Sequence, residues 1–548
     1  MAALLAGFNA GAATYFATPA GAGEQDGSSW ENAFPAESLA DILEGVESGD
    51  IIYFGAGTYN GVTVNMVDGI SVIGGFPASA TGTDVSGYNP SVNKTIFDAQ
   101  GKNGGEPFIS VNNEEQSKQA TEIKGVTFTG ATGGNITEYK GTVLYTRKAI
   151  MKIEDVTFEN NVTSWGGIVV PYKSQFYAKH CVWRNNVNNY YEVHYDAAGS
   201  GDKKKNNTGA VCISARGGET EHSLVVLEGC TMTGNTLANA ELAKTVFCYG
   251  GLIANQDKSV DLVMVNNLLD GSGLTLKQNG GCLRQANNCQ MIMAYNTFYN
   301  FNTTDPSDSK GVVCSINAGT PFFIAGNIIV SPMTTDVPKV YAFFDQNNNK
   351  LKYITGGYNS IGGRYMNSQP ESIWETGLVN NTWASTDNWN VATQSDVLGS
   401  NKITEKDGGY YIEPLASCGD VNVASVQAAF DACDFLTAFK DVKIDLSVDI
   451  YGNKRAATSY RGCYDPNASA GGSGIADVTV SGDDIKVVSL GNGSFKVEGT
   501  EGVADVYDIS GRKVLTQELG DNSIISLEGM AGGVYIIKAG NASVKVAK

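Results

Sequence analysis

One short pattern recurs along this chain: an inward residue, an outward residue, an inward residue, then a Gly/Asn turn. It reads Val126-Thr127-Phe128, Val156-Thr157-Phe158, Cys181-Val182-Trp183, Cys230-Thr231-Met232, Asn267-Leu268-Leu269, Asn296-Thr297-Phe298, Asn327-Ile328-Ile329 and Asn359-Ser360-Ile361. The third positions are separated by 30, 25, 49, 37, 29, 31 and 32 residues, so the long steps predict a unit carrying an insertion. A second column precedes the first, a glycine leading an apolar run, at Gly141, Gly166, Gly209, Gly250, Gly280 and Gly311.

Two short strands per unit cannot bury their apolar faces alone, and stacking the units does. The expected architecture is all-β, a parallel β-helix in which each coil bonds only to its neighbours. Equivalent positions then stack about 4.8 Å apart. The inward column that changes to Asn267, Asn296, Asn327 and Asn359 predicts an asparagine ladder, because a buried amide needs its copy in the next coil as a partner. The same register places Cys181 and Cys230 in adjacent coils, where they form either a disulfide or two buried thiols.

A solenoid end exposes core and strand edges, so a cap is required. Residues 37–48 supply one: Leu39, Ile42, Leu43 and Val46 share a helical face, and Ser38 with Asp41 has the spacing of a capping box. Gly49-Asp50 leads into a strand, Ile51-Ile52-Tyr53-Phe54, and a turn, Gly55-Ala56-Gly57-Thr58-Tyr59. These stretches, with Tyr15-Phe16-Ala17-Thr18-Pro19, Asp26-Gly27-Ser28-Ser29-Trp30 and Ile73-Gly74-Gly75-Phe76, resemble the opening of secreted right-handed β-helix proteins of the pectate-lyase-like superfamily. Asp449-Ile450-Tyr451-Gly452-Asn453 with Arg461-Gly462-Cys463-Tyr464 resembles the closing coil of the same bacterial group. The resemblance spans residues 15–465 and implies the right-handed solenoid, here residues 14–465; it does not specify an activity. Residues 1–13 have the small apolar character of a signal-peptide remnant, and no segment reaches the roughly 18 apolar residues of a membrane helix.

Residues 466–474 form a Gly/Ser-rich linker, and residues 475–548 alternate apolar and polar side chains as a small antiparallel β-sandwich of about seven strands. Val506-Tyr507-Asp508-Ile509-Ser510-Gly511-Arg512-Lys513, Gly532-Gly533-Val534-Tyr535 and Lys545-Val546-Ala547-Lys548 resemble the C-terminal sorting domain of the type IX (Por) secretion system of Bacteroidota. That resemblance makes Asp508, Gly511, Arg512, Gly533, Tyr535, Lys545 and Lys548 the sorting signal. It implies the export machinery as a partner and an extracellular or outer-membrane surface address.

Chemistry is sought in insertions and outward cations. The 49-residue step carries Tyr190, Tyr191, His194 and Tyr195 followed by Lys203-Lys204-Lys205, aromatic faces and charges suited to sugar rings and acidic groups. Outward positions near the glycine-led strand add Tyr145, Arg147, Tyr172, Lys173, Arg216 and Arg284. β-Elimination on an acidic glycan needs a cation to neutralise the C5 carboxylate and a base to take the C5 proton. Arg147, Lys173, His194, Arg216 and Arg284 are the catalytic candidates, with Tyr145, Tyr172, Tyr190, Tyr191 and Tyr195 as substrate-binding residues. For a hydrolase, Asp257, Asp261 and Asp345 are acids with no fixed pairing.

The position after each Phe128-like residue reads Thr129, Glu159, Arg184, Thr233, Asp270, Tyr299 and Val330, which stacks no acidic pair for calcium. No zinc motif, P-loop or Ser/His/Asp signature occurs, so no metal or cofactor is expected. With 57 acidic against 38 basic residues the net charge is −19, which disfavours nucleic acid as a partner. Two functions follow: a surface protein binding polysaccharide along the solenoid flank, or a polysaccharide lyase or glycoside hydrolase acting through the Tyr/Lys/Arg/His cluster.

Overall fold

In the computed structural model, the described residues are 12–35, 39–61, 63–133, 140–164, 166–189, 210–218, 220–238, 247–249, 251–255, 259–279, 282–285, 290–303, 313–315, 322–330, 343–345, 354–361, 389–391, 397–399, 402–406, 409–433, 443–469, 486–491, 494–498, 502–508, 512–520, 523–527, 530, 534–539 and 542–547. The chain divides into two units, 1–450 with 457–466 and 451–456 with 467–548.

The first unit is a right-handed parallel β-helix. Each coil contributes three strands, one more than the two columns visible in the sequence. Among the described residues the first sheet has eleven strands, from Thr14–Ala17 to Ile354–Gly357; the second has eleven, from Gly57–Asn60 to Trp389–Val391; the third has nine, from Val64–Asn65 to Phe343–Asp345. The strand outside the two repeating columns is that of the first sheet, read from the sequence only at Ile51–Phe54; later coils carry it as Ile150–Glu154 and Gln175–Lys179. It abuts the second-sheet strand across one tight corner, so the two read as a single run.

That corner is left-handed in coil after coil: Gly125, Asp155, His180, Gly229, Asn266, Tyr295, Gly326 and Tyr358 all have φ between 50° and 66°. Glycine occupies it without steric cost, and elsewhere stacking on both sides holds the strained residue. A methyl on Gly229 would lie 2.6 Å from His180 Cδ2.

The repeat predicted from the sequence is present in register: Phe128, Phe158, Trp183, Met232, Leu269, Phe298, Ile329 and Ile361 pair coil to coil. Tyr59 and Phe97 extend the column backwards, so the expected turn over 55–59 gives way to a strand, Gly57–Asn60. Tyr59 is pinned there by its buried hydroxyl, which donates to Ala17 O and Gly55 O. The glycine-led column stacks as Leu144, Val169, Ile213, Ile253, Leu283 and Val313.

The asparagine ladder is continuous. Asn267 Nδ2 donates to Asn296 Oδ1 at 2.8 Å, Asn296 to Asn327 at 2.9 Å and Asn327 to Asn359 at 2.9 Å. A second ladder, Asn161 to Asn186 to Asn235 at 3.1 and 3.0 Å, occupies another corner. Its sequence trace is an asparagine three residues after each of Phe158, Trp183 and Met232. Cys181 and Cys230 neighbour each other as buried free thiols, and burial pushes the Cys181 thiol up.

The capping helix spans Leu39–Gly45 among the described residues and lays Leu39, Ile42 and Leu43 into the solenoid core; Ser38 lies outside them. A second, external core covers the first sheet. Its outward column runs Lys152, Tyr177, Val226, Val263, Ile292, Phe323, turning apolar as it ascends. The helix Val423–Asp431, with Ile444 and Leu446, packs over that apolar stretch. Arg461 is buried against the second sheet and donates to Asn359 O, Ser360 Oγ and Asp420, which explains the conspicuous closing motif as an anchor.

The second unit carries an antiparallel β-sandwich. One sheet joins Lys486–Gly491, Ser494–Glu498 and Ser523–Ser526; the other joins Lys513–Leu519, Gly502–Asp508, Val534–Ala539 and Ala542–Ala547. Phe495, Val497, Val506, Ile525, Tyr535 and Ile537 fill the space between them. Alternation does not reveal the strand Lys513–Leu519, whose side chains are mostly polar and lie on an edge with little burial. The alternation also reads a strand at Val478-Thr479-Val480, which lies outside the described residues.

Candidate functional site

Strand alternation sets what the third-sheet flank presents. Leu144 points into the core, so Tyr145 and Arg147 point out. Arg147 pairs with Asn112 on one side and Tyr172 on the other, and Tyr172 is bridged to Arg216. Asn112, Arg147, Tyr172 and Arg216 therefore form one outward column over four successive coils, about 4.8 Å apart. Arg147 Nη1 donates to Asn112 Oδ1 at 3.4 Å.

The next residue in two of these coils is a left-handed corner, Lys148 and Lys173, each at φ 52°. Their amides donate to Tyr172 O and Arg216 O, which fixes the corner and aims both lysines along the same edge. Lys148 Nζ donates to Glu114 O at 2.8 Å and lies 3.2 Å from Glu221 Oε1. Lys173 Nζ lies 2.5 Å from Glu221 Oε2 and 5.4 Å from the Tyr172 ring centroid. Glu221 comes from a turn closed by Gly218 N–H to Glu221 O and by Ser223 Oγ to Arg216 O.

These pairs fix charge states. The bond to Glu221 holds the Lys173 ammonium above its ordinary pKa, and Lys173 and Lys148 hold the Glu221 carboxyl below its own. Lys173 in this pairing is a charge to offer an anion rather than a base.

Beside Glu221, His222 Nδ1 lies 3.5 Å from Asp261 Oδ2. Asp261 Oδ1 accepts from Gln290 N–H at 3.1 Å. Burial raises the Asp261 carboxyl pKa, opposed by that amide and by His222. The side chain of Asp261 is 12 % exposed and that of His222 is 54 %, so a buried carboxylate orients an accessible imidazole through Nδ1 and leaves Nε2 to act on a ligand.

Of the candidates named from the sequence, the structure brings together Arg147, Tyr172, Lys173 and Arg216. Tyr145 shares their face but is 8 % exposed, with Val170 and Ser214 following it fully buried in its column, so it is a packing residue rather than a sugar platform. Arg284 stands in that Tyr145 column, opposite Ala254 and Cys314, four coils on from Tyr145 and roughly 19 Å along the axis. It does not join the Arg147 column. His194, Tyr190, Tyr191 and Tyr195 lie outside the described residues, as does Asp257.

Lys148, Glu221 and the His222–Asp261 pair were not singled out together from the sequence. The trace of the two lysines is a lysine recurring at one 25-residue step, after Arg147 and after Tyr172. The remaining histidine, His180, lies on the corner between the first and second sheets, 3.9 Å from Asp155. On the second sheet the column expected to lack an acidic pair sets Glu159 against Arg184, with Nε to Oε2 at 2.6 Å, and Thr233 Oγ1 donates to Asp270 at 3.0 Å.

In the second unit, Asp508 ends a strand opposite Tyr535, whose ring is buried, and Lys545 pairs with Ile536. Arg512 is exposed, and Gly511, Gly533 and Lys548 lie outside the described residues.

No family model matches the sequence, and no curated protein matches it. Among solved structures, the crystal structure of pectate lyase Pel9A aligns with 84 % of this chain and 97 % of its own, at 11 % identity and a TM-score of 0.32. No helix among the described residues is long and apolar enough to cross a membrane.

Proposed function

We propose that this protein binds an acidic polysaccharide along the third-sheet flank of its solenoid. The observation that carries this reading is the column Arg147, Tyr172, Arg216, flanked at the corner by Lys148 and Lys173. Two arginines in the column and two lysines sharing the carboxylate of Glu221, on a chain of net charge −19, form a cationic strip repeated at coil height. Such a strip suits a linear polymer with regularly spaced anions and flat sugar faces. The test is affinity electrophoresis of the full chain in gels containing polygalacturonate, alginate or a neutral glucan. Retardation only in the acidic gels, lost in Arg147→Ala/Arg216→Ala, is expected; equal migration in all gels sinks the reading.

A second reading, cleavage of the same polymer by β-elimination, is favoured by the His222–Asp261 pair. The strip would neutralise the C5 carboxylate, His222 Nε2 would take the C5 proton, and the C4–O bond would break as its oxygen takes a proton from water. Unsaturated products from wild type and none from His222→Ala, with binding retained, are the expected results; no product from wild type leaves binding alone.

The C-terminal sandwich is proposed as a sorting address for type IX export, placing the protein outside the cell or on its outer surface. The resemblance of Asp508, Arg512, Tyr535 and Lys545 to that domain supports it. Removing residues 475–548 should trap the protein in the periplasm of a type IX host; unchanged export would refute the address.

A further inference from the structure

The two lysines at the flank's corner already hold a carboxylate, and the carboxylate is the protein's own. Glu221 divides its oxygens between them, Oε1 at 3.2 Å from Lys148 Nζ and Oε2 at 2.5 Å from Lys173 Nζ. Each lysine is also held independently of Glu221. Lys148 Nζ donates to Glu114 O at 2.8 Å, and Lys173 Nζ lies over the Tyr172 ring. Both rise from backbone corners fixed by coil-to-coil hydrogen bonds, with side chains only 19 % and 22 % exposed. The ammonium pair is therefore built into the solenoid, whereas Glu221 arrives from a short turn and is 40 % exposed.

We infer that the Lys148–Lys173 pair is a carboxylate-binding subsite whose occupant in the free chain is Glu221, displaced when a uronate carboxylate binds. The inference rests on the reading that this flank binds an acidic glycan. Glu221 presents the same planar, two-oxygen anion as a uronate, so the spacing that accepts one accepts the other. Glu221 is the exposed partner of both pairs, and a polymer offers many carboxylates at high local concentration, so displacement is energetically accessible. Glu221 then acts as a competitor: it keeps the two ammoniums paired until a ligand arrives and lowers affinity for single short ligands.

The sign of the test follows. Glu221→Gln removes the competing charge and keeps the side-chain volume. Binding of tri-galacturonate and of polygalacturonate to the full chain, measured by isothermal titration calorimetry, should tighten about fivefold relative to wild type. Its dependence on salt should steepen, because two unpaired ammoniums now face the ligand. Glu221→Ala should do the same, and circular dichroism of both variants should match wild type. Lys148→Met/Lys173→Met should weaken polygalacturonate binding at least fivefold and leave binding to a neutral glucan unchanged. Unchanged or weaker binding in both Glu221 variants overturns the subsite while leaving the flank reading intact. No acidic binding by wild type or any variant overturns both. Tightening for heparin, with none for the uronates, would also overturn the carboxylate assignment.

Discussion

Replacing Asn296 by alanine removes the middle rung of the asparagine ladder, and the hydrogen bonds state what that exposes. Asn296 Oδ1 accepts from the backbone N–H of Asn267 at 3.0 Å and from its Nδ2 at 2.8 Å. Asn296 Nδ2 donates to Met264 O at 2.8 Å and to Asn327 Oδ1 at 2.9 Å. Asn327 Oδ1 keeps the backbone N–H of Asn296, at 2.9 Å, after substitution. Asn267 thus loses the acceptor for two N–H groups, and Met264 O loses a donor, all at positions closed to solvent. A buried polar group without a partner costs about 1–3 kcal/mol. Three of them predict a destabilisation of about 3–9 kcal/mol, toward the lower end if a water enters the vacated space.

Because a solenoid unfolds coil by coil rather than all at once, the assay is native-state hydrogen exchange on the strands of coils around 260–299, with the urea midpoint as a second readout. Asn65→Ala, at an exposed strand position, is the control and should change stability by less than about 0.5 kcal/mol. If Asn296→Ala costs less than about 1 kcal/mol, the ladder is a passive stack and the argument from unpaired amides fails.

Three further outcomes are expected. Arg461→Met should destabilise the closing segment by about 2–4 kcal/mol, since the guanidinium is buried and bonds Asn359 O, Ser360 Oγ and Asp420; urea unfolding within about 1 kcal/mol of wild type would contradict the anchor role. Asp261 has its carboxyl pKa raised by burial, so its stability contribution is full below the unfolded pKa near 3.9 and is lost as pH rises through the folded value. Asp261→Asn should therefore be more stable than wild type at pH 7, with the difference closing as pH falls to about 4; a pH series of melting curves showing the opposite slope would refute it. Gly229→Ala should cost about 1–2 kcal/mol, from a positive φ of 63° and the contact with His180; a neutral thermal shift would show that the corner relaxes.

The solenoid is legible in the amino-acid sequence because a parallel stack repeats one local pattern. Phe128 to Ile361 align by their repeat alone, and the ladder from Asn267 to Asn359 follows from the cost of an unpaired amide. The sandwich was likewise legible in alternation, apart from a polar edge strand. What escaped was whatever depends on where corners turn. The first-sheet strands were hidden because one left-handed residue, Asp155 or His180, joins them to the next strand without a visible break. The external core under the helix Val423–Asp431 depends on an outward column changing character between Tyr177 and Val226, visible only once register is known.

The candidate site divides in the same way. Arg147, Tyr172, Lys173 and Arg216 were nameable as outward cations and an aromatic, since period-two alternation assigns faces. That Arg284 stands in the Tyr145 column, two coils beyond Arg216, that Tyr145 is covered, and that Glu221 reaches back to two lysines follow only from how the coils stack. Sequence spacing reports distance along the chain, whereas a binding strip is defined by distance across coils. Stacking brings residues dozens of positions apart within 5 Å, and only the register says which ones.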